Sequence, residues 1–215
     1  MAFILKKHNL VFLHPPKTGG NWLTKVFRDQ NLIKEKIQHK HATYDLLVGH
    51  LNHYEKRIDS FFTVIRNPLT WYESWYKYQF SNNFRDYSND DWHSISAIAR
   101  IKEKGDFNVF MEKVNRMIPG FCCNLFYQYL GMNGNKSVTV LKTETLREDL
   151  DELNRNYSLG IPEDVIFQEP DYGVSPKKTI HWDPKILQQT IRNEKPFLQL
   201  FGYKKEDAIP NKDDQ

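Results

Sequence analysis

Residues 10–27 read LVFLHPPKTGGNWLTKVF, and the reading of this stretch decides the fold. Leu10 to Leu13 form a short apolar run of the kind that fills a buried strand. His14-Pro15-Pro16 ends it, because proline has no N–H to give to a ladder. Lys17-Thr18-Gly19-Gly20 follows, and then Trp22, Leu23, Val26 and Phe27 recur at helical spacing, which predicts a helix over Asn21 to Gln30. A strand, a glycine loop and a helix make a natural anion cradle. The loop amides and the helix N-terminus both direct positive charge at one point. Lys17 adds a point charge there, and Thr18 a hydroxyl donor. The loop is not a Walker A loop, because its lysine precedes the glycines. It lacks the three-glycine spacing of a dinucleotide fingerprint. The same residues also suit a plain strand–helix connection that uses glycine for an awkward backbone angle. The rest of the chain separates the two readings.

With 215 residues, the chain is long enough for one sizeable core. Residues 1–203 are expected to form a single α/β domain, with 204–215 a charged tail. A net charge of +3 is too small to imply nucleic acid, but it suits an anionic small molecule. The only two cysteines, Cys122 and Cys123, are adjacent, which gives no disulfide framework and no zinc spacing. With no apolar run of spanning length and no signal-like N-terminus, the expectation is a soluble cytoplasmic protein with no membrane partner. Nothing in the chain speaks to oligomeric state.

Further strands are expected at Leu46 to Val48, which would deliver His50 at its end, at Phe61 to Ile65, and at Ser137 to Leu141. Met1 to Leu5 reads as a small edge strand or a loose end. Pro68 suits the first position of a helix carrying Trp71, Ser74, Trp75 and Tyr78, and Asp183-Pro184 opens a last helix pair. Gly160 to Lys178, with several Pro and Gly, reads as a long functional loop. Alternating strands and helices predict a three-layer α/β fold with a mostly parallel central sheet and ligands at the strands' C-terminal edge. The loop after Leu13, His50 and Arg66 would meet at that edge.

Arg66 ends the clearest strand, and Ser74 lies eight residues on, about 9 Å along the predicted helix. An arginine fork and a hydroxyl set this way can grip one phosphate. Here PPKTGGNWL resembles the 5′-phosphosulfate loop of sulfotransferases that use 3′-phosphoadenosine 5′-phosphosulfate (PAPS), whose fold is P-loop-like. FFTVIRNPLTWYESWY resembles their 3′-phosphate motif, and FLQLFGY, at 197–203, their closing helix. Gly49-His50 ahead of Arg66-Asn67-Pro68 is similar to the carbohydrate-type branch. The resemblance implies that Lys17, Thr18, Gly19, Gly20, Asn21 and Trp22 surround the phosphosulfate, and that Arg66 and Ser74 hold the 3′-phosphate. Asn21 departs from the small or hydroxyl residue usual after the glycines, and Leu69-Thr70-Trp71 lacks an arginine often found there.

The implied reaction moves a sulfuryl group to an acceptor hydroxyl, on a carbohydrate or small molecule. Lys17 would stabilise the leaving oxygen, and a histidine would serve as general base. His50 is the expected base, with His41, His39 and His14 as other candidates; His41 is also a candidate substrate contact. Trp92 and Trp182, in loops, are candidate sugar platforms. No metal is implied. A nucleotide kinase, or a nucleotide-binding relative without turnover, are the alternatives.

Overall fold

The computed structural model describes residues 2–37, 39–53, 58, 60–81, 94–103, 105–131, 138–173 and 179–204, with backbone alone at 50–53. The chain divides into two compact units, Met1–Arg66 with Phe126–Val174, and Asn67–Leu125 with Ser175–Gln215.

The first unit holds a five-stranded sheet. Its strands are β1 (Phe3–Leu5), β2 (Val11–Leu13), β3 (Ile33–Lys36), β4 (Phe61–Ile65) and β5 (Val138–Lys142), in the order β3-β1-β2-β4-β5. β2, β4 and β5 pair in parallel, with Leu13 beside Thr63 and Ile65 beside Lys142. β1 pairs antiparallel with both β2 and β3, so it alone runs against the other four. Two of the expected strands need correction. Met1 to Leu5 is no edge: β1 is buried between two neighbours. The edge is β3, whose IKEK sequence exposes three of its four side chains. Charged side chains on an edge discourage further pairing.

Helices cover both faces of this sheet. Phe12, Phe62, Val64 and Leu141 face α1 (Gly20–Asp29) and α7 (Leu146–Asn156), in a core with Trp22, Leu23, Val26, Phe27, Leu150 and Leu153. On β4 the alternate residues, Phe61, Thr63 and Ile65, are buried too, and Tyr44 of α2 (Tyr44–His53) lies 5.0 Å from Phe61. A strand buried on both faces reads as a continuous apolar run, which is why β4 was so clear in sequence.

The expected strand at Leu46 to Val48 is instead the middle of α2. Tyr44 and Leu47 are buried while Leu46 is 44% exposed. That is a three-residue helical step, and Leu47 N–H bonds Thr43 C=O to close the first turn. The long loop expected from Gly160 contains α8 (Glu163–Gln168), which buries Ile166.

The second unit is helical among its described residues: α3 (Pro68–Ser81), α4 (Ser96–Ala99), α5 (Phe107–Met117) and α9 (Pro184–Phe201). α6 (Phe121–Leu130) begins here and ends in the first unit. Asn67 accepts from Leu69 N–H and so caps α3, while Asp183 accepts from Lys185 and Ile186 N–H and caps α9. α9 is one helix rather than the expected pair.

Candidate functional site

The parallel register brings the C-terminal ends of β2, β4 and β5 together. Thr63 Oγ1 donates to Leu13 C=O at 3.1 Å, and Thr143 Oγ1, just past β5, donates to Ile65 C=O at 2.9 Å. Lys17 and Arg66 leave from two of these ends. The third is β5, in place of the expected strand before His50.

The loop after β2 is folded tightly. Pro15, Pro16 and Thr18 are buried, and Thr18 Oγ1 donates to Pro15 C=O at 2.9 Å. The Thr18 hydroxyl proton therefore braces the loop. Lys17 and Gly19 both take left-handed conformations, with φ of 65° and 79°. Glycine accepts that geometry freely; lysine holds it under strain, a cost seen at sites where geometry serves function. α1 then starts at Gly20 with no side-chain cap and no acidic residue in its first turn. Its first amides carry the positive end of the helix with no intrahelical acceptor. Gly20 is fixed by packing: a Cβ there would lie 2.3 Å from the His14 ring.

Positive charge collects around this turn. Arg66 Nη1 donates to Lys17 C=O at 3.2 Å, which pins the guanidinium to the loop. Burial, then the nearby Arg66 and Lys40, lower the Lys17 ammonium from 10.5 to about 8. The His14 imidazole is buried and stacks on Phe12 at 5.4 Å. Burial, and then neighbouring groups that include Lys40 and His41, hold it well below its ordinary value, so it is neutral. Cations crowded at an open helix N-terminus are the electrostatic signature of an anion site.

Asn21 is exposed in the first turn of α1, where the Gly173 backbone comes so close that a Cβ on Gly173 would lie 3.0 Å from Asn21 Nδ2. Trp22 is a core residue, with the Arg147 guanidinium 4.7 Å from its ring centroid. Arg147 also donates to Ile166 and Glu169 C=O and pairs with Asp171, and Lys25 pairs with Glu169. The segment 169–173 is thereby strapped over the start of α1. Sequence reasoning missed Lys40, Arg147 and this strap, since partners 19 to 144 residues apart leave no local signature.

Other expected residues are placed as follows. His41 Nδ1 lies 2.7 Å from His14 C=O, with the two rings 4.9 Å apart. His50 is in the helical body of α2, so the strand-end position that singled it out does not exist; its side chain lies outside those described. Ser74 is buried on α3 in the second unit. Trp182 Nε1 donates to Glu73 Oε1 at 2.8 Å and its ring meets Phe107 edge-on at 4.7 Å, so it anchors the approach to α9. Trp92 lies outside the described residues.

Among the described residues, no group of His, Cys, Asp or Glu is placed to hold a metal ion, and no helix is long and apolar enough to cross a membrane. No protein-family model and no curated protein matches the chain. Among solved structures it is similar to a mouse sulfotransferase, SULT7A1, complexed with PAP, at 13% identity and a TM-score of 0.47, over 98% of this chain and 88% of that one. At that level of likeness, the chemistry of the site is read from its own residues.

Proposed function

We propose that the chain is a sulfotransferase that moves a sulfuryl group from PAPS to an acceptor hydroxyl, with a carbohydrate as the acceptor class. One observation carries the reading: Lys17 and Arg66 are joined through the Lys17 carbonyl at the uncapped first turn of α1. The two sequence motifs that contain these residues support it.

In this reading, the amides of Gly19, Gly20 and Asn21 hold the 5′-phosphosulfate, and PAPS supplies the activated sulfuryl group. The Lys17 ammonium stabilises the negative charge that grows on the leaving oxygen. Arg66, fixed by its bond to the loop, takes the 3′-phosphate as a charge-assisted fork. Ser74 and Trp22 enter through the sequence resemblance alone. Residues 1–203 would work as one domain, and two buried cysteines with no disulfide between them suit a reducing, cytoplasmic setting.

Calorimetric titration tests the reading directly. Binding of adenosine 3′,5′-bisphosphate (PAP) is expected, with no comparable binding of ATP–Mg²⁺; the reverse result would favour a kinase. Lys17→Ala should lower sulfuryl transfer by about a hundredfold to a thousandfold, followed by mass spectrometry of a sugar panel. Binding of PAP with no transfer to any acceptor would leave a binding protein and sink the enzymatic reading.

A further inference from the structure

We propose that His41 is the general base of this site, acting through Nε2; the assignment rests on the sulfotransferase reading. A carbonyl oxygen can only accept a hydrogen bond. The 2.7 Å contact between His41 Nδ1 and His14 C=O therefore puts the proton on Nδ1, and the lone pair of the neutral ring lies on Nε2. His14 is the residue that leads into the Pro15–Gly20 loop, so the base candidate is tied to the same backbone that presents Lys17. A second tie fixes the other side of the residue: Tyr129 Oη donates to His41 C=O at 2.9 Å. A ring held on one nitrogen by a fixed acceptor, with basicity directed to the other, is the arrangement that general bases use.

The step balances without a further reactant. The acceptor oxygen forms a bond to sulfur as its proton passes to His41 Nε2. The bond from sulfur to the bridging oxygen breaks, and its electron pair leaves with PAP beside Lys17. The imidazolium keeps its Nδ1–H bond to His14 C=O throughout and then releases the proton to water. Among the described residues, the titratable groups beside it include the neutral His14 ring, 4.9 Å away, and the neighbouring Lys40.

His41→Asn separates a base from a strut, because the asparagine amide can still donate to His14 C=O but cannot take a proton. The expected result is a folded protein whose PAP affinity stays within twofold of wild type. Release of PAP from PAPS, with sugars or water as acceptor, should fall about a hundredfold, and the acid limb of the pH–rate profile should vanish. Nitrogen-detected NMR of the wild type should show Nδ1 protonated and Nε2 bare. Undiminished turnover in His41→Asn with PAP binding intact overturns the assignment, as does loss of turnover in His50→Ala alone. Failure of the wild type to bind PAP overturns the sulfotransferase reading, and this one with it.

Discussion

Lys17 combines a left-handed backbone with a half-buried ammonium. Under the proposed function, its value of about 8 gives nucleotide binding a defined pH dependence. An anion binds the ammonium form. PAP affinity should stay level below pH 8 and weaken up to about tenfold per unit above it, and Lys17→Ala should abolish the bend; calorimetry across pH 6.5 to 9.5 measures both. Without ligand the same group acts on stability with the opposite slope. Its proton is bound more tightly in the unfolded chain, so its contribution to stability rises between about 8 and 10.5. Lys17 and Arg66 were legible in the sequence because each follows a strand and sits in a local motif. The bond from His41 to the loop was not legible, because it spans 27 residues and depends on which way one ring turns.

Among the helices, α9 does more than pack. Glu194, fully buried on α9, accepts from Tyr72 Oη of α3 at 2.6 Å and from the Cys122 and Cys123 amides at 3.2 and 2.7 Å. A carboxylate from a distant helix thus caps the first turn of α6, where the dipole favours a negative charge. Burial raises the Glu194 value, while these three donors oppose the rise. Glu194→Gln should cost about 1–3 kcal/mol in denaturant unfolding, because an amide nitrogen turned toward an amide N–H leaves a buried donor without its acceptor. A loss below about 0.5 kcal/mol would show that the cap contributes little. No sequence pattern announces such a cap, since donor and acceptor lie more than 70 residues apart. The local caps Asp183 and Asn67 were open to inspection, or nearly so, because they act within three residues. The errors at β1, α2 and α8 have one origin: short segments are decided by what they pack against. Leu46-Leu47-Val48 has the composition of a strand and the burial of a helix.

For the folded chain as a whole, the layered α/β architecture was readable from the alternation of β2, α1, β4 and α3, but the sheet order was not. β1 enters antiparallel because only five residues, 6–10, join it to β2, too few for a crossover. Global stability should carry the mark of His14, which is buried and neutral. Its folded value lies well below the 6.5 of the unfolded side chain, so below pH 6.5 the unfolded chain takes up a proton that the native one refuses. This group's contribution should fall by ~1.4 kcal/mol per pH unit as pH drops from 6.5, until the folded value is reached. Melting scans from pH 7.5 to 5 follow the loss, and a His14 ring that stays neutral by NMR at pH 5.5 identifies the source; a ring that titrates near 6.5 would refute it.

Both thiols of the chain belong to the second unit, on the turn of α6 whose amides Glu194 holds. Both thiols are buried, so a reagent reaches them only when that part of the fold opens. The pair is therefore a built-in clock. The rate at which a thiol reagent labels the native protein counts the openings of that unit, while titration with PAP, which the proposed reading directs to the loop of the first unit, tests the other independently. The two halves of the molecule can be timed separately, in one sample, without adding a probe to either.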